Sequence, residues 1–155
     1  MAPTHTTIST SRFGDLDVPA SQMIRFVEPI IGFDNQDQFI ILEHADNSPF
    51  KWLQAVHQSD LAFVVTNPKF FGIEYEFAIP DDIAEKIGLD NAEDAVVLTI
   101  VNIPNDDPGK MTANLLGPIV INEKTKLGLQ LVLGDSTYTT KTRLIPDDVL
   151  GQPNA

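Results

Sequence analysis

The chain has 155 residues, 43% of them hydrophobic, no cysteine and a formal net charge of -12. Without cysteine, a disulfide framework and a thiolate metal site are both excluded, and a reducing cytosol suits the composition. The acid excess argues against nucleic acid as a ligand, because a polyanion is repelled over a screening length of roughly 8 Å at physiological salt. The same charge keeps a protein soluble and would draw a basic protein partner.

There is no break in composition, and the length fits one domain, expected over residues 8–145 with flexible tails at 1–7 and 146–155. The first eleven residues are polar and rich in Ser and Thr, so they lack the apolar stretch of a signal peptide, and no later run approaches 18 apolar residues. The expected location is the cytoplasm, with no membrane contact.

In chain order, short β-branched and aromatic runs predict strands at 8–13, 16–18, 23–26, 39–43, 51–56, 61–66, 75–79, 96–103, 118–121 and 129–133. The runs at 39–42, 63–65 and 96–103 are apolar on both alternating faces, as in strands covered on two sides, whereas Leu129, Leu131 and Leu133 alternate with other residues. The fold class is therefore all-β, a mainly antiparallel barrel or sandwich, with one or two short helices. One helix is expected at 82–88, with Asp82 as N-cap, Glu85 completing a capping box and Gly88 in the left-handed C-terminal position. Residues 122–128 read as a hairpin connection in which Gly128 supplies the positive φ, so that the strands on either side pair antiparallel.

Charge is spread unevenly. Residues 74–94 carry eight acids against Lys86 alone, a net of seven negative charges and over half of the total. Residues 26–50 add five acids and no base, whereas residues 124–143 hold four bases against Asp135. An electrically polarised molecule is expected. Two segments, 67–72 and 104–110, have the composition of functional loops as well as of ordinary surface turns. In the first, Phe70 and Phe71 are consecutive aromatics and cannot both point to the same face; either one is exposed, or both find separate packed layers.

Chemistry-bearing patterns are sparse. His5, His44 and His57 are far apart, no Gly-x-Ser-x-Gly turn accompanies them, and each reads as a surface histidine. No metal-ligand spacing and no glycine-rich phosphate loop is present, so no catalytic residue, cofactor or metal is expected. Turnover of a metabolite that depended on His44 or His57 would contradict this.

Several ordered stretches resemble one family. Thr10-Ser-Arg-Phe-Gly-Asp-Leu-Asp-Val18, residues 26–33 with Pro29 and Gly32, and Phe50-Lys-Trp-Leu-Gln-Ala-Val56 followed by Leu61-Ala-Phe-Val-Val65 look like the first half of the FliW flagellar assembly factor family. Val97-Leu-Thr-Ile-Val-Asn-Ile-Pro104, Met111-Thr-Ala-Asn-Leu-Leu-Gly-Pro-Ile-Val-Ile-Asn122 and Gln130-Leu-Val-Leu133 resemble its most distinctive block. At position 30 the chain has Ile where the family pattern leads one to expect a second glycine. The resemblance covers residues 8–140 and implies a non-enzymatic protein that antagonises the translational regulator CsrA and binds flagellin.

An acidic binder would be steered toward a basic RNA-binding regulator. The expected contact residues are Phe70, Phe71, Glu74, Glu76, Asp81 and Asp82 on one surface, with Asp106, Asp107, Met111 and Asn114 on a second. A monomer is expected when no partner is present. A secretion chaperone that holds flagellin through apolar contact, with the acidity incidental, is the alternative reading.

Overall fold

The computed structural model describes residues 5–43, 48–134 and 136–145, with the side chain of Asp106 left aside. The chain opens with a hairpin of β1 (His5–Thr10) and β2 (Gly14–Pro19), paired from His5↔Pro19 to Thr10↔Gly14. Residues 5–7 thus belong to a strand rather than to a tail, because their backbone groups find partners in β2. The hairpin's turn is closed by the Thr10 hydroxyl, which donates to the Gly14 carbonyl and accepts the Phe13 N–H, each at 2.8 Å.

The remaining strands are β3 (Ile24–Phe26), β4 (Gln38–Glu43), β5 (Phe50–Ala55), β6 (Ala62–Thr66), β7 (Ala95–Asn102), β8 (Thr112–Ala113), β9 (Ile119–Asn122), β10 (Leu127–Gln130) and β11 (Thr142–Arg143). They run β7-β6-β5-β4-β3-β10-β9, and β9 pairs again with β7, which closes a barrel of seven strands. Only β3–β10 is parallel within it; β8 and β11 extend from β7 outside the ring. Closure decides for a barrel over a sandwich, and it removes the open edges that an isolated sheet would expose.

Alternation places one set of side chains inside. Phe39, Leu53, Ala55, Val65, Leu98, Ile119 and Ile121 pack the interior together with Phe26 and Ile30. Ile30, at the position where glycine was expected, is buried there, while the positive φ of this turn falls on Gly32 (φ 91°). The intervening residues are also covered. Ile40 packs under the β1–β2 hairpin with Ile8 and Val18, and Val120, Leu129 and Leu131 pack against Ile87. Val101 joins Tyr75, Met111, Leu115 and Leu144 in another outer cluster. The two-sided apolar strands of the sequence are therefore barrel staves with a layer on each face.

Two expectations are corrected. Residues 75–79 form no strand, although their burial alternates. The positive φ of the 122–128 connection falls on Lys126 (φ 59°), not on Gly128. Gly128 lies within β10 opposite both Ile121 and Phe26, where a Cβ would meet the Ile121 side chain at 3.1 Å and the Val120 carbonyl at 3.2 Å. The two-residue strands β8 and β11 were not foreseen, being too short to leave a periodic signal.

Candidate functional site

The acidic stretch wraps the outside of the barrel, starting where β6 ends. Asn67 caps a short 3-10 turn at Pro68–Phe71, its Oδ1 accepting the Lys69 N–H at 3.0 Å, and Gly72 at φ 75° terminates it. This turn separates the two phenylalanines: Phe70 is 70% exposed, whereas Phe71 turns inward onto the Phe50 ring with centroids 5.6 Å apart.

Residues 73–80 then run outside the sheet. Tyr75 is buried and its hydroxyl donates to the Leu115 carbonyl at 2.6 Å. Burial, with Tyr138 beside it, holds the phenol well above the ordinary tyrosine range, so it remains a donor. Glu76 is tied through its backbone: the Tyr138 hydroxyl accepts its N–H and donates to its carbonyl, each at 2.9 Å. Glu74 and Glu76 are left with their side chains in solvent.

Helix α1 (Asp81–Lys86) follows, beginning one residue earlier than expected. Pro80 occupies the cap position and no side chain caps the helix, so the expected capping box of Asp82 and Glu85 does not form. Asp82 lies inside the first turn, where its charge still complements the free N–H groups. The other end matches expectation: Gly88 (φ 66°) donates to Glu85 O at 3.1 Å and Leu89 to Ala84 O at 2.8 Å, the double closure of a Schellman turn.

The basic 122–127 connection docks on this same end. Asn122 Nδ2 and Thr125 Oγ1 both donate to the Ile87 carbonyl, at 2.9 and 2.8 Å, and Lys124 lies 3.3 Å from Asp94. Lys86 pairs with Glu28, whose hydrogen bond and charge raise the pKa of the ammonium. Folding thus brings Lys124, from the basic stretch, against the acidic one.

A groove of about 320 Å³ lies between β7 and the 75–79 segment, with Ala95 and Val97 on one side and Tyr75, Phe77 and Ile79 on the other. Two neighbouring depressions share walls with it: one, lined by Glu74, shares Lys69, Tyr75 and Glu76, and the other, lined by Asp81 and Asp90, shares Phe77, Ile79 and Ala92. Glu76 lines the groove itself, Glu74 and Asp81 line the depressions beside it, and Asp82 is exposed on the adjoining helix. Phe71 is not part of this surface.

The second expected surface is largely dissolved by the fold. Met111 is 5% exposed and packs in the outer core with Leu115 and Leu144; it cannot meet a partner. Asn114 is half-buried and its Oδ1 accepts the Gly117 N–H at 2.9 Å. Asp107 is exposed and caps the turn at Pro108–Lys110, and Asp106 lies in the preceding turn. An apolar or amide residue in a loop gives no sign in sequence of which way it will point. Tyr138 and the backbone of Ala95 and Val97, which the sequence did not single out, help to build the groove.

His57 Nε2 lies 3.0 Å from Gln38 Oε1, and His5 is exposed on β1; His44 and Asp46 fall outside the described residues. Among the described residues no group of three or more His, Asp or Glu is placed to hold a metal, and no helix is long and apolar enough to cross a membrane.

Fold and surface together define a class: a small, mixed, seven-stranded β-barrel with an acidic groove along its outside. The family model described as FliW protein matches residues 7–144. The chain is 39% identical over 139 residues to the flagellar assembly factor FliW of Leptospira biflexa, covering 90% of this chain and 91% of that one. It is 41% identical over 134 residues to the flagellar assembly factor FliW of Bacillus subtilis, covering 86% and 93%. A crystal structure of the flagellar assembly factor FliW matches with a TM-score of 0.83 at 33% identity, over 91% of this chain and 98% of that one. The chain belongs to the FliW family of flagellar assembly factors, which are not enzymes.

Proposed function

We propose that this flagellar assembly factor works in the cytoplasm by binding two proteins, a CsrA-type translational regulator, which it antagonises, and flagellin. Flagellin synthesis is thereby coupled to flagellum assembly: free flagellin occupies the factor and releases the regulator, and the unoccupied factor, a monomer, restrains it. The observation that carries this reading is the exposed acidic surface of Glu74, Glu76, Asp81 and Asp82, with the exposed ring of Phe70 on the turn that precedes it in the chain. A regulator that binds RNA needs a basic surface, and complementary charge accelerates its encounter with an acidic partner. Asp107 stands apart from this surface, at the 104–110 loop.

The test is calorimetric titration of the protein with flagellin and, separately, with the CsrA of the same organism, at low and high salt. Binding to both is expected, with the affinity for the regulator falling as salt rises. Replacing Glu74 and Glu76 by Lys should slow association with the regulator at low salt; an unchanged rate would remove these residues from the contact. Binding to flagellin alone, indifferent to salt, would favour the second reading, a secretion chaperone for flagellin without a translational role.

A further inference from the structure

The hydrogen-bond parity of β7 leaves part of one edge without a partner. Glu123 N donates to Asp94 O at 3.0 Å and Asn114 N to Ile100 O at 2.9 Å, so the even-numbered residues from 94 turn their backbone groups toward β9 and β8. In an extended strand the odd-numbered residues face the opposite edge. There Thr99 and Val101 stand opposite Thr66 and Val64 of β6. Ala95 and Val97 face the same way, but β6 ends at Thr66. Continued in register, the residue opposite Val97 is Pro68, which has no N–H to give and instead starts the 3-10 turn. The Ala95 N–H is taken by the Ala92 carbonyl, which closes the preceding 3-10 turn, so the Ala95 carbonyl and both backbone groups of Val97 are left without a partner on this edge among the described residues, and the groove opens directly onto them.

We propose that this groove takes an extended cationic peptide segment as an added strand along the Ala95–Val97 edge of β7. The chemistry of the site specifies the occupant. Unpaired N–H and C=O groups on a half-covered edge recognise the backbone of an extended chain, and alternate side chains of that chain then reach the neighbouring surfaces. Phe77 and Ile79 across the groove offer apolar contact to one set. Glu74 and Glu76 at one end and Asp81 and Asp90 at the other meet the second set, against the single cation Lys69. Cationic side chains alternating with small apolar ones satisfy both. The inference does not depend on which protein carries the segment, and it concerns how the groove binds rather than what it regulates.

The probe is the capped heptapeptide Lys-Val-Lys-Val-Lys-Val-Lys, titrated into the full-length protein, together with two analogues N-methylated at its odd or its even residues. N-methylation removes backbone donors and leaves the charge unchanged. The parent peptide should bind, shift the amide resonance of Val97 and slow its hydrogen exchange. One N-methylated analogue should bind at least about tenfold more weakly than the other, because only one set of amides faces β7 in a given register. Equal binding by the parent and both analogues would reduce the interaction to surface charge and overturn the proposal. Perturbations centred away from Val97, or no binding at all, would also overturn it.

Discussion

The hydroxyl of Tyr138 serves Glu76 as a neighbouring strand would, accepting its N–H and donating to its carbonyl at 2.9 Å each. One side-chain oxygen thereby holds a segment that has left the sheet, along with the Glu74 and Glu76 carboxylates that the segment carries. Tyr138→Phe keeps the ring packed edge-on against Tyr75, with centroids 4.8 Å apart, and removes only these bonds. The loss should be about 1–2 kcal/mol. Urea unfolding would measure it, and faster exchange at the Glu76 amide would locate it.

Tyr75 links stability to alkaline pH. Its folded-state pKa is raised by burial, whereas in the unfolded chain the phenol ionises near pH 10 or so. Below that pH both states are protonated and stability is unaffected. Above it the unfolded state loses a proton that the folded state keeps, so stability falls as pH rises. Tyr75→Phe should lower stability at neutral pH by about 1 kcal/mol through loss of the bond to Leu115, and flatten the decline above pH 10 or so. Denaturant midpoints followed from neutral to alkaline pH test both parts.

The adjacent phenylalanines should separate cleanly. Phe70→Ala removes an exposed ring and should change stability by less than about 0.5 kcal/mol. Phe71→Ala takes a ring off Phe50 and should cost about 2 kcal/mol, less than a fully buried phenylalanine because Phe71 is half-buried. A thermal melt of each variant decides this, and a partner affinity lost with Phe70→Ala at unchanged stability would mark that ring as a contact.

Gly88→Ala tests the end of α1. The residue stands at φ 66°, and an added Cβ would lie 3.2 Å from the Thr125 methyl. The left-handed conformation alone should cost about 1–2 kcal/mol. Crowding of Thr125 should also disturb its bond to the Ile87 carbonyl, visible as a shift in the Thr125 and Lys126 resonances.

The alternation of residues 74–80 shows what periodicity reports. Tyr75 is buried and Phe77 and Ile79 half-buried, with exposed residues between them, so the period of two was legible and correct as a statement about burial. It did not reveal pairing, because a buried extended segment can satisfy its backbone through a tyrosine 62 residues away as well as through a strand. The acidic surface was legible because eight acids close together cannot all be buried. Met111 was misread as a surface residue because the direction of a loop side chain is set by what surrounds it, in this case Leu115 and Leu144.

The sequence alone determined the all-β class, most of the strands, the left-handed turn at Gly88 and the family, since these rest on local residue preferences and on ordered motifs. Closure of the barrel, the docking of Lys124 and Thr125 beside the acidic stretch, and the unpaired edge at Val97 were decided only by tertiary structure. Each depends on which distant backbone groups meet. A seven-stranded ring leaves a gap wherever one strand outruns its neighbour, and that length mismatch appears only once the register is fixed.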